Sequence, residues 1–348
     1  MKTQILKEYS NRITLVRYPL MLMVVMIHNI FTSNELGKPI FENYELYFHK
    51  PLSYITMIAV PMFFMISGYL LFSKIRFNSP KYSSILKNKF HTLVIPFILW
   101  NSFVFLFYFI GQNLSVTKPF FINNKFLNWN NYDYIFQTFG LNTFYPISIQ
   151  FWFIRNLFVF ICIYPICRYI KALSIMQFGI LFILIYVINT SFIQIKGFCY
   201  FIAGAYLAYN NFNLVKIDKF KYIIIGMFFI TILCNIYFNL PLILPILFGI
   251  ISLWIIAGIC EKCNILNKFL IYLSPSTFFL FAFHLIPAGI IRRCYVKVIH
   301  PTTISLIVGY FICLIITLVL SHLIYLILNK YVPKFLIIVC GNRTAKEN

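Results

Sequence analysis

Residues Ile13 to Phe31 read ITLVRYPLMLMVVMIHNIF. Wound as a helix at about 1.5 Å per residue, the stretch is a rod of roughly 28 Å, close to the hydrocarbon thickness of a bilayer. It reads as a membrane span. It also carries two groups that lipid does not welcome, Arg17 and His28, eleven residues apart. At about 100° per residue, eleven steps return to nearly the same side of a helix, roughly 16 Å further along its axis. Ionisable residues inside a span are costly and ordinarily face a bundle interior or a wet cavity, so the pair marks a candidate site.

The rest of the chain repeats the pattern. Of 348 residues, 61% are hydrophobic and 11% charged, with a mean hydropathy of +0.84. No soluble domain has that composition. Apolar runs cover residues 13–31, 53–72, 93–111, 151–167, 175–192, 197–209, 222–238, 240–260, 276–294 and 303–328. The expected fold is an all-α polytopic membrane protein of about ten transmembrane helices around a polar cavity. It forms a single domain over residues 1–348, with no fused extracytoplasmic domain. Pro241, Pro245, Pro275 and Pro287 fall near the ends of the eighth and ninth runs. Charge orients the bundle. The side holding both termini carries nineteen basic residues, among them Lys74, Arg76, Lys81, Lys87 and Lys89, against eight on the other side. By the positive-inside rule both termini are cytoplasmic. Arg292 and Arg293 fit this scheme worst, which points to an irregular end of the ninth segment.

A formal net charge of +21 would suggest nucleic acid in a soluble protein. Here cytoplasmic loops and anionic lipid account for it, and no nucleic-acid partner is expected. The N-terminus lacks a small-x-small cleavage pattern after its apolar stretch, so it reads as a retained span. Nine cysteines, an odd number, lie mostly in or beside apolar runs, where Cys behaves as a small hydrophobe. A single CxxC at Cys260 and Cys263, without further ligands, indicates neither zinc nor redox chemistry, and no metal is expected. Two outer loops are substantial, residues 32–51 and 112–150, the second rich in Asn and in aromatics such as Phe120, Phe121, Trp129 and Tyr132.

All eight carboxylates fall outside the ten runs, whereas Arg17, Arg155, His28, His284 and His322 fall inside them or at their margins. An interior with bases and cations but no acid argues against a carboxylate-relay carrier and suits an anionic ligand. With no carboxylate to orient the His28 imidazole, a backbone carbonyl, Asn29 or a tyrosine would have to do so.

These residues resemble a known family. Arg17 to His28 matches the Arg-x10-His motif of membrane acyltransferase family 3, the integral-membrane O-acyltransferases of bacterial surface glycans. VPMFFMISGYLLF at Val60 to Phe72 is similar to its second-helix signature, FWFIRNLF at Phe151 to Phe158 to its Trp-Phe-Leu segment, FIAGAYLA at Phe201 to Ala208 to its short glycine-containing helix, and FLFAFH at Phe279 to His284 to its late aromatic segment. The resemblance runs through nearly the whole chain in order. Pro19, two residues after Arg17, is a departure, since a helix beginning there would leave Arg17 on the entry turn.

The resemblance implies transfer of an acyl group, acetyl being expected, from cytoplasmic acyl-CoA to a hydroxyl of a cell-surface polysaccharide or lipid-linked glycan. The implied location is the plasma membrane of a bacterium, with the bilayer, the glycan acceptor and glycan-assembly proteins as partners. Acyl-CoA is the donor substrate; no metal is implied. His28 and Arg17 are the candidate catalytic residues. Arg17, Lys74 and Arg76 suit the coenzyme A phosphates. Trp152, Arg155 and His284 are candidates for substrate binding. An imidazole, whose ordinary pKa lies at about 6.5, can take a proton from an attacking hydroxyl or carry the acyl group itself. A glycan exporter or flippase would use the same aromatic and cationic groups without bond chemistry.

Overall fold

The computed structural model describes residues 2–37, 39–78, 81–115, 117, 133–141, 143, 145–188, 194–210, 212–238 and 241–343. Among them the chain is helical, with no strand. In chain order the main helices are α1 (Lys2–His28), α2 (Ala59–Asn78), α3 (Ile95–Asn113), α4 (Trp152–Cys162), α5 (Ile175–Tyr186), α6 (Ile195–Asn210), α7 (Lys221–Phe238), α8 (Ile243–Lys262), α9 (Asn264–Leu273), α10 (Thr277–Phe283), α11 (Leu285–Val298) and α12 (Thr303–Tyr331). Seven helical stretches are long and apolar enough to cross a membrane; counting the bent pair Ile149–Cys162 and Tyr164–Ala172 as one span gives eight. This is a multi-span membrane protein. Helices α5 and α6, with 12 and 16 residues, are shorter than any of those seven stretches.

The chain forms two compact units. The first is built from Met1–Ile66 and Asn211–Val332, the second from Ser67–Asn210 and Pro333–Thr344. In the first unit α1 is one continuous helix with Pro19 inside it. The helix does not begin at Pro19, and Arg17 is not on an entry turn. Proline is tolerated within a span when neighbours satisfy the carbonyl it frees. Two buried contacts tie α1 to α8: the rings of Tyr9 and Trp254 meet edge to face at 5.3 Å, and the Arg12 guanidinium lies 5.5 Å from the Trp254 ring centre. Gly258 leaves the room, since a Cβ there would sit 2.6 Å from the guanidinium carbon.

Two segments differ from the sequence reading. Residues 264–275, expected in a loop, form α9 and a 3-10 turn through Pro275, and Asn264–Phe283 as a whole is long and apolar enough to span. The expected ninth span is broken at His284, between α10 and α11. Pro287 accounts for part of the break, because it has no N–H to offer the Phe283 carbonyl. Helix α12 starts on a capping box in which the Ser305 N–H donates to Thr302 Oγ1 at 3.2 Å, and Gly309 on its first turns makes room for the Tyr295 ring of α11.

In the second unit, Gly68 of α2 lies directly against the backbone of Phe201 in α6. The Trp100 indole of α3 donates to the Val339 carbonyl at 3.0 Å, holding the short helix Pro333–Val339. Phe120, Phe121, Trp129 and Tyr132 lie outside the described residues.

Candidate active site

The C-terminal end of α1 is a convergence point of the first unit. His28 is the last residue of the helix, and its ring centre lies 5.5 Å from that of His284, with the planes tilted by 41°. His284, wholly buried, sits at the break between α10 and α11. Its Nδ1 is 3.0 Å from the Leu280 carbonyl and 2.9 Å from the Phe281 carbonyl. Both partners can only accept, so Nδ1 carries the proton and Nε2 keeps its lone pair. Among the described residues that buried Nε2 has no hydrogen-bond partner. The structure thus places beside His28 a second imidazole whose tautomer is set by its own helix.

The backbone at His28 is held from three sides. Arg292 of α11, buried, donates from Nη1 to the His28 carbonyl at 2.7 Å, and Tyr310 of α12 donates from its hydroxyl to the Met26 carbonyl at 3.1 Å. Asn29 donates from Nδ2 to the Tyr310 carbonyl at 2.9 Å. Carbonyls in the last turn of a helix lack intrahelical donors, and here two of them are capped by neighbouring helices. The expected orienting role of Asn29 is not realised through its amide nitrogen, which is spent on Tyr310.

Arg292 also meets an acid. Its Nε lies 3.0 and 3.2 Å from the two carboxylate oxygens of Glu35, and its Nη2 lies 2.9 Å from Oε1. Glu35 belongs to the short helix Ser33–Leu36, and its Oε2 accepts from the Thr32 N–H at 3.0 Å. The site therefore contains an acid that the apolar pattern assigned to a loop. Sequence reasoning missed this pair. Its one hint was the misfit of Arg292 and Arg293 on a cation-poor side.

Arg17 lies on the same continuous helix as His28, eleven residues earlier. Its side chain is exposed, and among the described residues it has no hydrogen bond or ion pair. Arg12, one and a half turns earlier, is its opposite: buried, paired with both Asp218 oxygens at 2.9 and 2.5 Å, and 3.8 Å from Glu261. A cation so enclosed is a packing element, not a site for a diffusing ligand.

Four other candidates lie in the second unit. Lys74 is exposed; it and Arg343 are near enough to Lys89 to repel its ammonium. Arg76 donates from Nη1 to the carbonyls of Ala208 and Tyr209 at 2.9 and 3.4 Å, capping the end of α6. Arg155 donates to the carbonyls of Gly140 and, at 3.1 Å, Thr143, fixing the loop before α4. Trp152, half-buried, opens α4 one turn before Asn156, a fully buried amide with no partner for either polar end.

A profile described as an acyltransferase domain, that of acyltransferase family 3, matches residues 10–326. The chain belongs to this family. It is an acyltransferase of the kind that moves groups other than aminoacyl groups, built on membrane-spanning helices. The chain is also similar to the succinoglycan biosynthesis protein ExoH of Rhizobium meliloti (strain 1021), with 23% identity over 286 residues, 74% of this chain and 73% of that protein. No solved structure matches it.

Proposed function

We propose that the protein is a bacterial plasma-membrane O-acyltransferase that moves an acyl group, acetyl in the simplest case, from cytoplasmic acyl-CoA to a hydroxyl of a cell-surface polysaccharide or a lipid-linked glycan. The observation that carries this reading is the ring contact of His28 with His284, whose Nδ1 faces two carbonyls of its own helix, at the end of the helix that also carries Arg17. Succinoglycan is a polysaccharide, and the similarity to a succinoglycan biosynthesis protein supports a glycan acceptor.

His28 takes the proton of the acceptor hydroxyl as its oxygen attacks the thioester carbonyl. The C–S bond breaks, and the proton passes from the imidazolium to the leaving thiolate. His284, with its Nε2 lone pair, receives a hydrogen bond from the His28 ring or from a bridging water and so keeps the other His28 nitrogen free to act as base. Arg17 binds donor phosphate. Lys74 is assigned to phosphate as well, while Arg76 caps the end of α6. Trp152 and Arg155 are assigned to the acceptor. The reading includes ten membrane crossings with both termini in the cytoplasm, α1 running from inside to outside, and assembly with glycan-building proteins.

Protein in nanodiscs given isotopically labelled acetyl-CoA tests this. The parent releases free coenzyme A and passes label to a glycan acceptor or, slowly, to water. His28→Ala lowers turnover at least about a hundredfold with donor binding kept, as expected for loss of a general base. Arg17→Ala raises the donor KM about tenfold, the loss of one charge-assisted contact. Donor binding without label transfer by the parent, or full turnover in His28→Ala, overturns the reading.

A further inference from the structure

The Glu35–Arg292 pair joins the loop that leaves α1 to the carbonyl of the residue that ends it. One guanidinium makes three kinds of contact: Nη1 to the His28 carbonyl at 2.7 Å, Nε to both Glu35 oxygens, and Nη2 to Oε1 at 2.9 Å. A planar fork of donors suits this task, and the ammonium of lysine does not reproduce it. Glu35 is itself pinned by the Thr32 N–H, so the turn from His28 to Glu35 closes on the guanidinium. The pair is deeply placed, with side chains 10% and 8% exposed. Its hydrogen bond to the site is made through the His28 carbonyl.

We propose that Arg292 and Glu35 are positioning residues that fix the register of the His28 imidazole against His284, and that the essential contact is the N–H donated by Arg292 to the His28 carbonyl, with Glu35 orienting the donor. This rests on the acyl-transfer reading for its kinetic expression, though not for its geometry. An ion pair that merely held the fold would work with its charges exchanged. A positioning device would not, because a glutamate at 292 has no proton to give the His28 carbonyl.

The experiment compares Arg292→Lys, Glu35→Gln and the exchange variant Glu35→Arg with Arg292→Glu, all as the full chain in nanodiscs. Two readouts are taken: kcat and KM for coenzyme A release from acetyl-CoA, and the 15N imidazole resonances of His28, assigned through His28→Ala. The expected result is a kcat lowered at least about tenfold in Arg292→Lys and in the exchange variant, with the donor KM within about twofold of the parent. The His28 resonances should move in all three, while those of His91 and His300 stay. Recovery of parental kcat by the exchange variant, or unchanged His28 resonances in Glu35→Gln, overturns the proposal. Should the parent release no coenzyme A, the acyl-transfer reading fails, and the resonances still decide the positioning role. Glu35→Gln is isosteric and keeps an accepting oxygen for the guanidinium, so it answers the question even where Arg292→Lys and the exchange variant fail to fold.

Discussion

A methyl group at position 68 would meet the carbonyl oxygen of Phe201, whereas one at position 226 would meet nothing within 4 Å. Both glycines lie inside helices, so their substitutions separate packing from propensity. Gly68→Ala should lower stability by about 1–3 kcal/mol through forced separation of α2 and α6, while Gly226→Ala should raise it by about 0.5–1 kcal/mol. Thermal unfolding of the detergent-solubilised protein checks both signs. At this scale the sequence was readable where the rule is local. The eleven-residue spacing of Arg17 and His28 needs only helical periodicity. Arg292 meeting Glu35 across 257 positions is a tertiary fact without a periodic trace. The pairing of Arg12 with Asp218 and Glu261 is likewise a tertiary fact without a periodic trace.

Among elements, α1 depends on partners at both ends. Near its start Arg12 is held by Asp218, Glu261 and the Trp254 face, all in segments that follow it by more than two hundred residues. Removing one member of a buried pair leaves the other uncompensated, a loss of about 3 kcal/mol. Asp218 is 29% exposed, which discounts this, and Arg12→Ala should lower stability by about 2 kcal/mol. Arg12→Lys should recover less than half of that, because lysine cannot engage both carboxylate oxygens at once; chemical denaturation in detergent measures the recovery. Element boundaries were harder to read than element existence. Pro19 suggested a helix start because proline favours first turns, yet the helix extends seventeen residues before it. Lys268 and Pro275 made residues 264–275 look like a loop, and the helix forms regardless because Lys268 remains exposed and Pro275 occupies a 3-10 turn.

For the whole molecule, composition alone assigned the membrane, because so apolar a chain has too few polar groups to cover a soluble surface. The number and direction of crossings are a further matter. In the first unit the Arg12 cluster lies part-way along α1 and the His28 cluster at its C-terminal end, about 24 Å apart along the helix. Cys263 follows α8 beside Glu261, and Cys294 follows Arg292 on α11; both are exposed and free. If α1 runs outward, a membrane-impermeant maleimide should label Cys294 in intact cells and reach Cys263 only after permeabilisation, as read by mass spectrometry of the tryptic peptides. The reverse pattern would invert the proposed orientation. The two clusters also bear on biosynthesis. Chains emerge from the ribosome N-terminus first, so α1 enters the bilayer long before Asp218, Glu261 and Arg292 exist. Until residue 218 has been translated, Arg12 on the opening helix holds its charge with no native counterpart. A nascent chain stalled before residue 212 would present quality-control proteases with a span that still lacks the carboxylates around Arg12 and the guanidinium that caps the His28 carbonyl.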